Sequence, residues 1–166
     1  NVDGKTLLPG FCDGHSHLSA TAYDLVMVNL KPEPGGKVDS VEALIEAFKE
    51  KAESGELEEG QWLMGMGLDP ASFTGTKTIT KYDLDKASKD IPICAIHASG
   101  HVAYLNSTAM EKVGYVGEFT VPEGGAVPNI PGTDDPSGLV EEAAYLGEVQ
   151  AKMVPPSGAQ VLKSIM

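Results

Sequence analysis

No arginine occurs among the 166 residues; all twelve basic side chains are lysine, set against 24 acidic ones. The planar fork that usually grips phosphate is therefore missing. A chain of net charge −12 also repels the nucleic-acid backbone and anionic lipid surfaces, so neither nucleic acid nor a membrane is expected as a partner. Cysteine is scarce: Cys12 and Cys94 are too few for a disulfide framework. No run approaches the ~18 apolar residues of a spanning helix. The opening Asn-Val-Asp-Gly lacks the basic start and apolar run of a secretory signal, and a cytoplasmic location is the expectation that follows. Two catalytic frames are absent as well. Ala98-Ser99-Gly100-His101 does not form a nucleophile elbow. The Gly-Gly pairs at 35–36 and 124–125 precede no Gly-Lys-Ser/Thr, and Gly4-Lys5-Thr6 is a lone fragment of that motif, read as a hairpin turn.

What the chain does contain is an ordinary globular balance, 42% apolar and 22% charged, at a length that suits one domain and buries roughly 70% of its unfolded surface. Asp3-Gly4 reads as a turn. It leads into a short apolar strand broken at Pro9-Gly10, which residues 11–18 can continue. Residues 39–54 carry the clearest helix pattern: Asp39 or Ser40 at the cap, Glu42 in the first turn, and Val41, Leu44, Ile45 and Phe48 on one face, with Gly55 as the stop. Residues 61–68 read as a buried strand ending at Asp69-Pro70, and 91–98 as a second. Short helices are predicted near 82–89, over 103–113 and over 138–152, with a hairpin or long loop at 115–137 and a break at 155–158. Strands alternating with helices argue for an α/β fold with parallel pairing.

The sharpest local feature is Asp13-Gly14-His15-Ser16-His17. On a strand, residues two apart share a face, so Asp13, His15 and His17 line up. Two imidazoles at that spacing can hold one divalent metal, and Asp13 can orient one ring from behind. The pair follows the apolar stretch LLPGF, and parallel α/β folds gather ligands at the carboxyl ends of strands. Against this stands the plain reading that a bare His-x-His arises often by chance.

The segment GKTLLPGFCDGHSHL resembles the first barrel strand of the amidohydrolase superfamily. Three further segments are similar to its amidohydrolase 3 branch, the YtcJ-like enzymes: WLMGMGLDP at 62–70, ASGHVAYLNSTAMEKVG at 98–114, and GGAVPN…DPSGLVEEAA at 124–144. Together they cover nearly the whole chain. The resemblance implies a partial (β/α)₈ metal-dependent-hydrolase barrel. Residues 1–18 would be the lead-in and first strand, and 19–166 an inserted or partial-barrel α/β region. It implies a small-molecule substrate with an amide-type C–N bond, and one or two divalent ions, zinc by ligand type. His15 and His17 would be metal ligands and Glu142 a bridging carboxylate, with Glu141 as its competitor. Asp69 and His101 would border the substrate pocket.

The plainer reading of Glu141 and Glu142 is a solvated first helical turn; that of Asp69 is a turn residue before Pro70, and that of His101 a helix start. There are departures too. Tyr104 stands where the branch often has Trp, and Ala and Ser follow the Gly-Leu-Asp block where Arg is frequent. A complete barrel takes about 250 residues, and no histidine follows His101, so the chain is expected to be an N-terminal piece whose general base lies elsewhere. Two other readings compete. Cys12-x₂-His15 and Cys94-x₂-His97 imitate a structural zinc site, though on strands residues three apart face opposite ways. A non-catalytic binding domain is the second, and the exposed edges of an incomplete barrel would favour homo-oligomers.

Overall fold

The computed structural model describes residues 3–12, 14 and 18–166, with the backbone alone for 18–20. Asp13, His15 and His17, and with them the expected metal-binding strand, lie outside the described residues. Asp3 and Gly4 form the predicted turn. The expected strand over the next residues is not found: positions 5–12 join no ladder, and Leu7, Leu8 and Phe11 are exposed by 81%, 61% and 93%. An apolar sequence becomes a strand only through a hydrogen-bonded neighbour, and none of the sheet strands described below pairs with this segment.

Helix α1, Leu18–Asp24, leads to β1, Val28–Asn29. Helix α2, Val41–Glu53, follows its predicted bounds closely. Ser40 caps it, its hydroxyl accepting from the Ala43 N–H at 3.2 Å, and Val41, Leu44, Ile45 and Phe48 are its buried face. Strand β2 is Leu63–Leu68, α3 is Lys81–Asp85 and β3 is Ile93–His97. These strands run parallel in the order β1-β2-β3, each joined to the next through a helix.

The sheet then changes character. Strand β4, Val102–Leu105, returns antiparallel to β3, and β6, Leu139–Glu142, pairs antiparallel with β4. The short β5, Gly125–Ala126, closes the far edge in the order β1-β2-β3-β4-β6-β5. Two sequence predictions are corrected here. Positions 102–105 and 139–142, read as the beginnings of helices, are strands. Their residues carry apolar side chains that satisfy either period over so short a run, and pairing with a neighbour decides between them. The helices follow directly: α4, Ser107–Val113, and a π-helical turn, Ala144–Val149, which runs into α5, Gln150–Lys152. The chain closes with α6, Gly158–Ile165. It is tied back where the Trp62 N–H donates to the Val154 carbonyl at 2.9 Å.

Both faces of the central strands are buried, as the near-continuous apolar runs of β2 and β3 require. Leu63, Ile93 and Ala95 pack towards Phe48 and Leu44 of α2. Their alternates Met64, Cys94 and Ile96 pack towards Met110 of α4 and Tyr145 of the π-helical turn. Helix α2 sits close to the sheet because position 65 is glycine: a Cβ there would lie 2.7 Å from Leu30 and 3.0 Å from Phe48. Among the described residues, no helix is long and apolar enough to cross a membrane.

Candidate functional site

The topology sends four strand ends the same way. Leu68 pairs with His97, so β2 and β3 finish together. Strand β4 starts at that end because it runs antiparallel to β3, and β6 finishes there because it runs antiparallel to β4, with Val102 opposite Glu141. Asp69, His97, His101 and Glu142 are therefore all carried to one edge of the sheet, the carboxyl end of its parallel strands. That edge is where open α/β sheets bind ligands.

Two of the residues singled out in the sequence meet there. The His101 ring Nδ1 lies 3.1 Å from Glu142 Oε2, and the Glu142 N–H donates to the His101 carbonyl at 2.9 Å. Both side chains are 57% exposed. Glu142 is not in the first turn of a helix but at the end of β6, with φ of 49°. A left-handed backbone is unfavourable for a residue with a Cβ, and such outliers persist where the surroundings over-determine them and gather at functional sites. Here the fixing contacts are the ladder to Gly125 of β5 and the bond to His101. An ionised carboxylate only accepts hydrogen bonds. A hydrogen bond from the ring to an ionised carboxylate here requires the His101 proton on Nδ1 and leaves Nε2 out of the contact.

The other residues at this edge serve the turns. Asp69 Oδ1 accepts from the Ala71 N–H at 3.0 Å and caps the 3₁₀ turn at Pro70–Ser72. This is the turn role weighed for it above. His97, which sequence reasoning weighed only as half of a zinc pair, closes the β3–β4 hairpin: its Nδ1 accepts from the Ser99 N–H at 3.0 Å. Its place at the edge has no signal in the sequence other than the carboxyl end of an apolar strand. Among the described residues, no three His, Cys, Asp or Glu side chains converge as a metal cluster. The two cysteines of the zinc reading stand in unlike surroundings. Cys94 is fully buried in the core, its thiol pushed up to about 12 by that burial, while Cys12 is exposed. A cleft of about 530 Å³ lies elsewhere, between the turn after α1, the end of α2, and α6. Its lining, which includes Leu25, Val26, Lys51, Glu56, Gln61 and Gln160, holds no histidine, so chemistry favours the strand-end edge.

The Asn-Ser half of the SGH…NS block is structural. Asn106 is fully buried. Its Oδ1 accepts from the Ile93 and Ala109 N–H groups, and its Nδ2 donates to the Ser88 and Ile91 carbonyls, all at 2.9 Å. Ser107 donates its hydroxyl to Asp85 at 2.7 Å. The pair caps α4 and ties it to α3 and β3.

A sequence profile of the amidohydrolase family matches residues 1–165. N-substituted formamide deformylase of Arthrobacter pascens is 32% identical over 146 residues, covering 88% of this chain and 26% of the relative. YtcJ of Bacillus subtilis (strain 168) is 27% identical over 156 residues, covering 94% and 28%. The chain thus spans about a quarter of the length of the curated relatives it matches. Among solved structures, an uncharacterized metal-dependent hydrolase from Pyrococcus furiosus superposes with a TM-score of 0.53 at 27% identity, covering 86% of this chain and 24% of that one.

Proposed function

The chain belongs to the amidohydrolase family, and from that premise we propose that it forms part of a metal-dependent hydrolase acting on an amide-type C–N bond of a small molecule. His15, His17 and Glu142 are its metal donors in this reading. The observation that carries it is the His101–Glu142 pair at the carboxyl edge of the sheet, where Nδ1 and Oε2 stand 3.1 Å apart. The donor chemistry fits a divalent cation: a carboxylate fixed at its backbone and at one oxygen, beside imidazole, is the kind of set that zinc accepts. The 32% identical relative bears the name of a deformylase of N-substituted formamides, which favours a small amide as substrate.

A bound metal would polarise the scissile carbonyl and lower the pKa of an attacking water. The chain's own residues have separate tasks. His15 and His17 would supply neutral ring nitrogens, and Asp13 would orient one ring. Glu142 supplies a carboxylate oxygen from the end of β6. Asp69 and His101 border the space in which the substrate sits.

Calorimetric titration of zinc into the purified chain, beside a His15→Ala/His17→Ala variant, tests the assignment. Specific binding that disappears in the double variant is the expected result. Zinc affinity that survives it, or amide hydrolysis that survives it, would sink the site.

A further inference from the structure

His101 and Glu142 are joined twice, through the backbone and through the side chains, although 41 positions separate them in sequence. Most exposed glutamates retain rotamer freedom, and ordering one side chain of this kind costs free energy when it binds a ligand. Glu142 differs. Its backbone is held at φ 49° by the pairing with Gly125 and by the bond to the His101 carbonyl, and its Oε2 is occupied by the His101 ring. Among the described residues, the other carboxylate oxygen, Oε1, has no protein partner. Carboxylates that ligate metals are themselves commonly hydrogen-bonded from behind, and such supports matter nearly as much as the ligands.

We propose that His101 is the positioning residue of Glu142: its Nδ1–H holds Oε2, so that Glu142 presents a single fixed oxygen, Oε1, to a divalent cation at the carboxyl edge of the sheet. This rests on the metal-dependent reading above and assigns His101 a task beyond bordering the pocket. It makes Glu142 a one-oxygen donor. It also fixes the His101 tautomer with the proton on Nδ1, opposite to the Nε2–H form that an unrestrained neutral imidazole prefers.

Two measurements test it, one without metal. Nitrogen-15 NMR of the imidazole rings, at a pH where they are neutral and with His101 assigned by its absence in His101→Ala, should show His101 as the Nδ1–H tautomer. Glu142→Ala should return it to the Nε2–H form. An Nε2–H ring in the unmodified chain overturns the proposal. Zinc titration is the second arm. His101→Ala should weaken zinc binding by roughly 10–100-fold. His101→Asn, whose amide N–H falls near the place of Nδ1, should recover most of it. Equal loss in both variants would make His101 itself a ligand through Nε2 and overturn the positioning role, as would undiminished affinity in His101→Ala. An unmodified chain that shows the Nδ1–H tautomer but takes up no zinc refutes instead the metal reading on which Glu142 is a donor.

Discussion

The two ends of strand β4 are both polar, and they are treated in opposite ways. At its far end Asn106 is fully buried, with both donor hydrogens and its acceptor oxygen engaged by backbone groups. The neighbouring loop is fastened there too. Buried Lys81 reaches Asp135 at 2.5 Å, Tyr82 donates to the same carboxylate at 2.6 Å, and the Lys81 N–H donates to the Ser137 carbonyl at 2.6 Å. At the near end His101 and Glu142 are more than half exposed, and the backbone of Glu142 is in an unfavourable region. Polar groups whose bonding is completed by protein hold the fold. Polar groups that are fixed but left with a free atom facing outward are available for chemistry. Both ends fall within blocks that resemble one enzyme branch, so the resemblance alone does not separate support from site.

The largest effect should come from breaking the buried end. Asn106→Ala strands several buried backbone groups and removes the α4 cap, and should cost about 3–4 kcal/mol, read as a lowered midpoint in urea denaturation. A loss below about 0.5 kcal/mol, the ordinary range for a surface site, would mean that the corner is not the anchor described. A smaller effect is expected at the Lys81–Asp135 clasp. The Lys81 ammonium, and then the Tyr82 hydroxyl, hold the Asp135 carboxyl below its usual range. A carboxyl lowered on folding stabilises the fold above its unfolded pKa of about 3.9, and that stability is lost as pH falls through the lowered value. The Asp135 carboxylate is partly open to water, 38% exposed, so the effect is screened. Asp135→Asn should therefore lower stability modestly at neutral pH and change it little once the carboxyl would be protonated, which flattens the acid side of the stability–pH profile; an unchanged acid limb would show the clasp to be idle. The smallest effect belongs to the near end. Glu142→Gly relieves the left-handed backbone, and its stability should stay level or rise by up to about 1 kcal/mol. A clear loss in the same denaturation would erase the contrast, because Glu142 would then be a structural residue like Asn106.

Much of the scaffold was legible from local pattern. The apolar spacing of Val41, Leu44, Ile45 and Phe48 set α2, its cap and its stop, because a helical face and its termini are encoded within a dozen residues. The runs at 61–68 and 91–98 announced buried strands for the same reason. Strands β4 and β6 were not legible. VAYL and LVEE are four residues each, too short for a period to show, and they are strands because each finds a ladder partner: β4 between β3 and β6, and β6 between β4 and β5. The site was partly legible. His101 and Glu142 were marked one by one through the blocks they occupy. The contact between them does not follow from the order of residues, whereas the turn role of Asp69 was one of the two readings its place before Pro70 offered.

The sequence by itself determined the α/β class, the principal helix, the two central strands and the family, since each rests on short-range spacing or on blocks of residue types. Only the tertiary structure decided that the sheet turns antiparallel after β3, that Asn106 is a keystone, and that a histidine and a glutamate 41 positions apart meet side chain to side chain. The physical reason is that spacing along a chain fixes which side chains share a face of one element, whereas pairing between strands fixes which elements meet, and a two-residue site belongs to the second kind of fact.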